Sequence, residues 1–430
     1  MFKSLSKKFQ PIASSLAPNY TIWDVLIVSR YLFLPWNWRR LQKGKNSRKL
    51  ERKFCEYVDS RWAVSFENGR SGLYAILKCL GIKDYDEIIL QAFTTVALSN
   101  AIKWCGAKPI YVDIKKETYN INPEKIEEKI TSKTKAIIVQ HTFGNPCEMD
   151  KIMEIARKHN LDVIEDCAHS LGAEYQNKKL GTIGDVAFFS FGRDKIISAV
   201  AGGMVVTNNN KLGEKIKEFK NQMPYQKKSL IVRQLFQPIV AYKSLKLYYF
   251  FNLGKVIMYS AVKFKIITKA YSKEERKNKR PENFPAKMPN ALAEIALHQM
   301  KLIDKFNKHR IEIARLYRNL LERGNITLPK PTTHSKNIFL WFTILVENKK
   351  ELIKKARKDH LLLGDWFPQA IGPIEVNLEK CDYQKGSCPI AEEVSSRCVN
   401  LPTHFRMDKG DVERIVTVID KFYANQRNNK

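Results

Sequence analysis

From Asp86 to Val206 the chain alternates short runs rich in β-branched and aromatic residues with stretches of helical periodicity. The runs cover 87–90, 109–112, 136–140, 163–165, 186–189 and 203–207. Strands separated by helices cannot pair as hairpins, so this order predicts an α/β fold around a mostly parallel central sheet. Between Val139 and Val163 a helix over 149–159 supplies the crossover of a right-handed βαβ unit. Ligands of such sheets lie beyond the carboxyl ends of the strands, which directs attention to Asp166 and His169.

The flanks read differently. Residues 1–45 are basic and aromatic and read as an N-terminal arm; 46–220 form the expected large domain. That domain opens with a helix over 47–58, carrying Leu50, Phe54 and Val58 on one face, then a strand over 62–65 and the Asn68-Gly69 turn before a helix over 73–80. Residues 221–285 read as a basic-aromatic insertion and linker, with nine Lys or Arg and no Asp or Glu between 221 and 270. Its longest uncharged runs, 234–242 and 247–254, fall well short of the roughly 20 residues that span a bilayer. The segment therefore either packs internally or at a dimer contact, or lies on an anionic membrane surface, and packing is the expectation because buried helices are commoner. Residues 286–430 read as a smaller α+β domain, with one long helix or a broken pair over 291–321, a strand over 338–346 and helices over 350–360 and 409–423.

The eight cysteines are dispersed, without a Cys-x-x-Cys pair or a histidine at zinc-ligand spacing, so a reduced cytoplasmic protein without a structural metal is expected. No secretory leader is evident at the amino end. A formal charge of +30 implies attraction to something anionic: nucleic acid, an acidic membrane or a phosphorylated substrate. No nucleic-acid-binding signature accompanies the charge, so nucleic acid is not an expected partner.

The chemistry concentrates in Phe188-Phe189-Ser190-Phe191-Gly192-Arg193-Asp194-Lys195 and Val163-Ile164-Glu165-Asp166-Cys167-Ala168-His169. A lone Asp at a strand end is more often a helix cap, and a lone Lys after a strand is usually solvated. Together they meet what pyridoxal phosphate requires: a lysine amine, a carboxylate for the ring nitrogen, and donors for the phosphate. Asn68-Gly69-Arg70-Ser71-Gly72 adds a glycine-framed turn into a helix N-terminus, a ready anion site, although a plain capped turn is the blander reading. Ser190 adds a hydroxyl.

These segments, with Gly106-Ala107-Lys108-Pro109-Ile110-Tyr111-Val112-Asp113, Thr134-Lys135-Ala136-Ile137-Ile138, Gly202-Gly203 and Cys388-Pro389-Ile390-Ala391-Glu392, resemble the DegT-type nucleotide-sugar aminotransferases of the fold-type I aspartate aminotransferase superfamily. The resemblance implies that Lys195 carries the cofactor as a Schiff base, Asp166 partners the ring nitrogen, His169 contacts the phenolic oxygen, and Ser190, Arg70 and Ser71 hold the phosphate, the latter two partly through backbone N–H groups. It implies amino transfer to a keto sugar on a nucleoside diphosphate, with glutamate as donor and pyridoxamine phosphate in the second half-reaction, by a homodimer serving polysaccharide or glycoconjugate synthesis. The chain departs from many relatives in two places. Thr95 stands where an aromatic residue stacks on the ring, with Phe93 a candidate substitute, and Phe284-Pro285-Ala286-Lys287-Met288 replaces a Gly-x-Asn-Tyr-Arg segment, with Lys287 a candidate charge. His141 either lines the substrate cleft or is a satisfied structural histidine. The rival readings are a transaminase of a non-sugar keto substrate and a non-catalytic binding or regulatory protein of the same fold. Peripheral contact with an anionic membrane remains compatible with both.

Overall fold

Thr21 and Asp24 cap one another's backbone at the start of α1 (Ile22–Phe33), which buries Asp24, Val28 and Tyr31 along one face. The next helix, α2 (Asn46–Val58), buries Leu50, Phe54 and Val58 and stops at Asp59, whose φ of 63° cannot continue a right-handed helix. The computed structural model describes residues 10–16, 18–322 and 326–428, the side chains as far as residue 425.

The large unit follows as β1 (Trp62–Phe66), α3 (Gly69–Cys79), β2 (Glu87–Gln91), α4 (Val96–Trp104), β3 (Lys108–Val112), β4 (Thr134–Gln140), α5 (Met149–Lys158), β5 (Asp162–Asp166), β6 (Val186–Ser190) and β7 (Gly203–Thr207). These strands form a seven-stranded sheet in the order β1-β7-β6-β5-β4-β2-β3. Strands β3, β2, β4, β5 and β6 are parallel, while β7 runs antiparallel to both β6 and β1. Helices cover both faces, so inner strands such as β4 are buried over almost their whole length. The mostly parallel α/β fold expected from the alternating pattern is the one observed.

Beyond the sheet come α6 (Asn210–Gln222), α7 (Lys228–Lys246), α8 (Leu253–Lys263), α9 (Asn290–Met300), α10 (Ile303–Leu321), β8 (Trp341–Leu345), α11 (Lys349–Lys358), α12 (Pro389–Arg397), β9 (Cys398–Pro402) and α13 (Lys409–Asn428). The stretch 291–321 is a broken pair, α9 and α10. Ile313, Tyr317, Phe342, Ile344, Val399 and Ile415 belong to a second hydrophobic core built by α10, α13 and the antiparallel β8–β9 pair. Residues Ile12–Ala13 pair in parallel with Leu361–Leu362, so the amino-terminal segment is tied to this unit. Helix α7 buries Ile231, Leu235, Pro238, Ala241 and Leu245, whereas α8 buries only Gly254 and Ala261. Among the described residues no helix is long and apolar enough to cross a membrane.

The register brings the functional segments together. Gln140 pairs with Asp166, Asp166 with Phe188 and Ser190 with Gly203, so the carboxyl ends of β4, β5 and β6 share one edge. Gly203 in turn lies against the Asn68-Gly69 turn: a Cβ there would fall 2.5 Å from the Asn68 carbonyl and 2.6 Å from the Gly69 nitrogen. Gly203→Ala should therefore push the turn off the sheet edge and lower stability by about 1–3 kcal/mol, measured by urea unfolding; an unchanged midpoint would show that the turn yields freely.

Candidate active site

Asp166 ends β5 with its side chain buried. One carboxylate oxygen accepts the Ala168 N–H at 2.9 Å, and the other has no hydrogen-bond partner among the described residues. Burial pushes this carboxyl up to about 6, against the opposing pull of the Ala168 N–H and of the charge on Lys195. Lys195 follows β6 on a turn closed by its own N–H to the Gly192 carbonyl at 3.2 Å. Burial brings its ammonium down to about 8, an effect partly offset by Asp166 and Asp194. Both shifts disfavour the charged form, so desolvation exceeds the mutual attraction of the pair. No ion pair within 4.0 Å joins them among the described residues.

His169 is also buried and held well below the ordinary histidine range, by burial first and by the Lys195 charge second. The Phe143 N–H donates to its Nδ1 at 3.4 Å, which leaves the proton of the neutral ring on Nε2. Its ring stacks on Phe143 with centroids 5.7 Å apart. Phe93 lies in the same aromatic cluster, fully buried and edge-on to Phe143 and Phe367 at 5.9 and 5.0 Å. It thus packs beneath the site as core, and the stacking role considered for it is not what the geometry supplies.

The Asn68-Gly69 turn caps α3 through the Asn68 side chain, which accepts the Ser71 N–H at 2.9 Å. The Ser71 hydroxyl donates inward to Glu67 at 2.5 Å, and Ser71 is fully buried. The Ser71 hydroxyl and N–H are thus both bonded inside the protein, to Glu67 and Asn68. Burial pushes the Glu67 carboxyl up to about 7, and it needs that hydroxyl. Gly69 lies against Ser190, whose Cβ would be 3.3 Å from a Cβ on the glycine. The Gly69 and Arg70 N–H groups, in the first turn of α3, have no intrahelical partners.

Two other sequence candidates occupy structural places. His141 is fully buried; it accepts the Cys147 N–H at Nδ1 (3.1 Å) and so donates from Nε2 to Glu165 at 3.2 Å. Burial acts to raise Glu165, but His141 and the Gly181 and Gly184 amides outweigh it and hold the carboxylate below its ordinary value. His141 is the satisfied structural histidine of the two readings, and it does not open on the cleft. Lys287 spends its ammonium on the Asn221 carbonyl at 2.8 Å and on the Tyr225 ring, 5.1 Å from the centroid.

Four neighbours were not visible from the sequence. Tyr271 hydrogen-bonds Thr95 through its phenol at 2.6 Å, and the Arg70 guanidinium lies 5.2 Å from its ring centroid. Glu275, on the following helical turn, pairs with Arg70 at 2.7 Å. Trp366 presents its ring 5.1 Å from Lys195 Nζ. Asn19 donates to the Lys195 carbonyl at 2.6 Å and accepts from the buried Arg310 at 3.0 Å, fixing the lysine's backbone. Beside them a cleft of about 570 Å³ is lined by Asp194, Trp341, Lys350, Lys354, Arg357 and Trp366, among others.

A doubly covered parallel sheet with a smaller carboxyl-terminal unit, and a half-buried lysine beside a buried carboxylate at one sheet edge, define a fold-type I transferase. More narrowly, the chain belongs to the DegT/DnrJ/EryC1/StrS aminotransferase family, whose pattern matches residues 35–239 and 261–420. Aminotransferases of this family depend on pyridoxal phosphate. The chain is 32% identical to the GDP-perosamine synthase of Escherichia coli O157:H7 over 89% of its own length and 92% of that protein's. It is 30% identical to the dTDP-3-amino-3,6-dideoxy-alpha-D-galactopyranose transaminase of Aneurinibacillus thermoaerophilus, covering 87% and 89% of the two chains. Among solved structures, NtdA of Bacillus subtilis with bound PMP superposes with a TM-score of 0.70 at 24% identity, covering 94% of this chain and 83% of that one.

The electrostatics of Lys195 can be read directly. In cofactor-free protein, reductive labelling of Lys195 by a small aldehyde should rise with pH through a midpoint of about 8. Asp166→Asn should move that midpoint lower, because the Asp166 charge favours the ammonium. Mass spectrometry of the Lys195 peptide checks both, and a midpoint near that of a solvated lysine would contradict the burial argument.

Proposed function

We propose that the chain is a nucleotide-sugar aminotransferase that moves an amino group from glutamate to the keto carbon of a sugar carried on a nucleoside diphosphate. The observation that carries this reading is the half-buried, partly desolvated Lys195 beside the buried Asp166, whose second carboxylate oxygen has no hydrogen-bond partner among the described residues. The residues fit pyridoxal phosphate. Asp166 would hold the ring nitrogen, Nε2–H of His169 the phenolic oxygen, and Lys195 the aldehyde carbon. Ser190 and the first N–H groups of α3, those of Gly69 and Arg70, would hold the phosphate. Tyr271, bonded to Thr95, supplies the aromatic group that Thr95 itself lacks.

When bound, the cofactor supplies a carbonyl carbon for amines and an electron-accepting ring. The protein supplies the rest. A lysine brought down to about 8 has a substantial neutral fraction near neutral pH, so its amine can accept the proton leaving the substrate carbon at Nζ and return it. The Asn19 clamp on the Lys195 backbone limits where that amine can travel. Asp166 keeps a negative charge within the desolvated site, where it acts more strongly than it would in water. Lys350, Lys354 and Arg357 line a cleft that includes Trp366, the aromatic neighbour of Lys195, and three cations there suit a diphosphate. By the family resemblance, the protein works as a homodimer in the cytoplasm, in polysaccharide or glycoconjugate synthesis.

A panel of keto-sugar nucleotides offered with glutamate tests the proposal. Expected are an amino-sugar nucleotide and 2-oxoglutarate in equal amounts. Asp166→Ala should fold normally and lose about 100-fold or more in turnover. Transamination confined to non-sugar keto acids would overturn the substrate assignment, and near-wild-type turnover in soluble Asp166→Ala would remove that residue from its role.

A further inference from the structure

A surface helix of a soluble protein normally turns its polar stripe to water and its apolar stripe inward. Helix α8 does the reverse. Its contact face is made of the small residues Gly254 and Ala261, and a Cβ on Gly254 would fall 2.1 Å from the Ser244 carbonyl oxygen, so α8 lies close against the end of α7. Outward it presents Leu253, Val256 and Tyr259 at successive helical turns. Phe251 before the helix and Phe264 and Ile266 after it extend the exposed apolar surface. Exposure is high for such residues: 88% for Phe251, 67% for Tyr259 and 70% for Phe264.

Lysines frame the apolar stripe. Lys255, Lys263, Lys265 and Lys269 are exposed on the same segment, and no Asp or Glu occurs from 221 to 270. The tip of the segment is anchored to the rest of the protein, since Tyr249 stacks on His360 at 3.7 Å between ring centroids. His360 closely follows the end of α11. The family match breaks at residues 240–260, which hold Phe251, Leu253, Lys255, Val256 and Tyr259, and resumes at 261 with the rest of the surface.

We propose that α8 and its flanks form a docking surface for an anionic lipid bilayer, lying in the headgroup layer with the aromatic and aliphatic stripe inserted and the lysines on lipid phosphates. A second copy is the poorer occupant. A twofold contact would set this cationic strip against itself, and juxtaposed like charges oppose association. At 11 residues the helix is too short to span, so the attachment is peripheral and reversible. It is independent of the sugar-nucleotide reading.

Co-sedimentation of the full-length protein with vesicles tests the surface, comparing phosphatidylcholine alone with phosphatidylcholine containing about 30% phosphatidylglycerol. Expected is binding at low salt to the anionic vesicles only, reversed by added salt. Lys255→Gln and Lys263→Gln should each weaken it about fivefold. Val256→Asp combined with Phe264→Asp should abolish it while leaving the melting temperature and transaminase rate unchanged. Indifference to both vesicles, equal binding to both, or binding that survives these substitutions overturns the proposal. So does a change in oligomeric state of the double variant without any vesicle binding by the wild type, which would assign the face to a second copy.

Discussion

Everything at the sheet edge depends on holding a lysine and a buried carboxylate, both partly stripped of water, beyond the ends of two adjacent parallel strands. Neither group gains enough from the other to repay its desolvation, as the upward shift of Asp166 and the downward shift of Lys195 both record. The pair is thus a cost carried by the fold for a chemical purpose. The fold carries it through rigidity: parallel register sets Asp166 beside Phe188, and the Asn19 side chain holds the Lys195 backbone from a distant segment.

Around that pair, several polar groups that do no chemistry bond inside the protein. Glu165 faces away from Asp166 along the same strand and collects His141 and three amides, those of Gly181, Ile183 and Gly184. Glu67 takes the Ser71 hydroxyl. These bonds account for why the His141 ring and the Ser71 hydroxyl, both plausible ligands by residue type, are turned to structural use.

Local patterns made the sheet legible. The runs at 87–90, 136–140 and 186–189 are short, apolar and separated by helices, and that order admits few topologies. Lys195 and Asp166 were legible because each follows such a run. What stayed hidden has a common cause: it depends on contacts between residues far apart in the chain. Tyr271 is one of 17 tyrosines, and nothing near it in sequence announces that it will reach Thr95. Glu275 on Arg70 and Asn19 on Lys195 are hidden in the same way. The basic insertion divided in two: α7 packs into the body as expected, and α8 does not, because residues such as Gly254 and Ala261 give close backbone approach without covering the apolar stripe.

The central claim is covalent, and one measurement reaches it directly: borohydride reduction of the purified protein with pyridoxal phosphate, followed by peptide mapping. Expected is a pyridoxyl mass on the peptide containing Lys195, with no such adduct in Lys195→Ala. A pyridoxyl group on another lysine, with Lys195 unmodified, would contradict the assignment of this site.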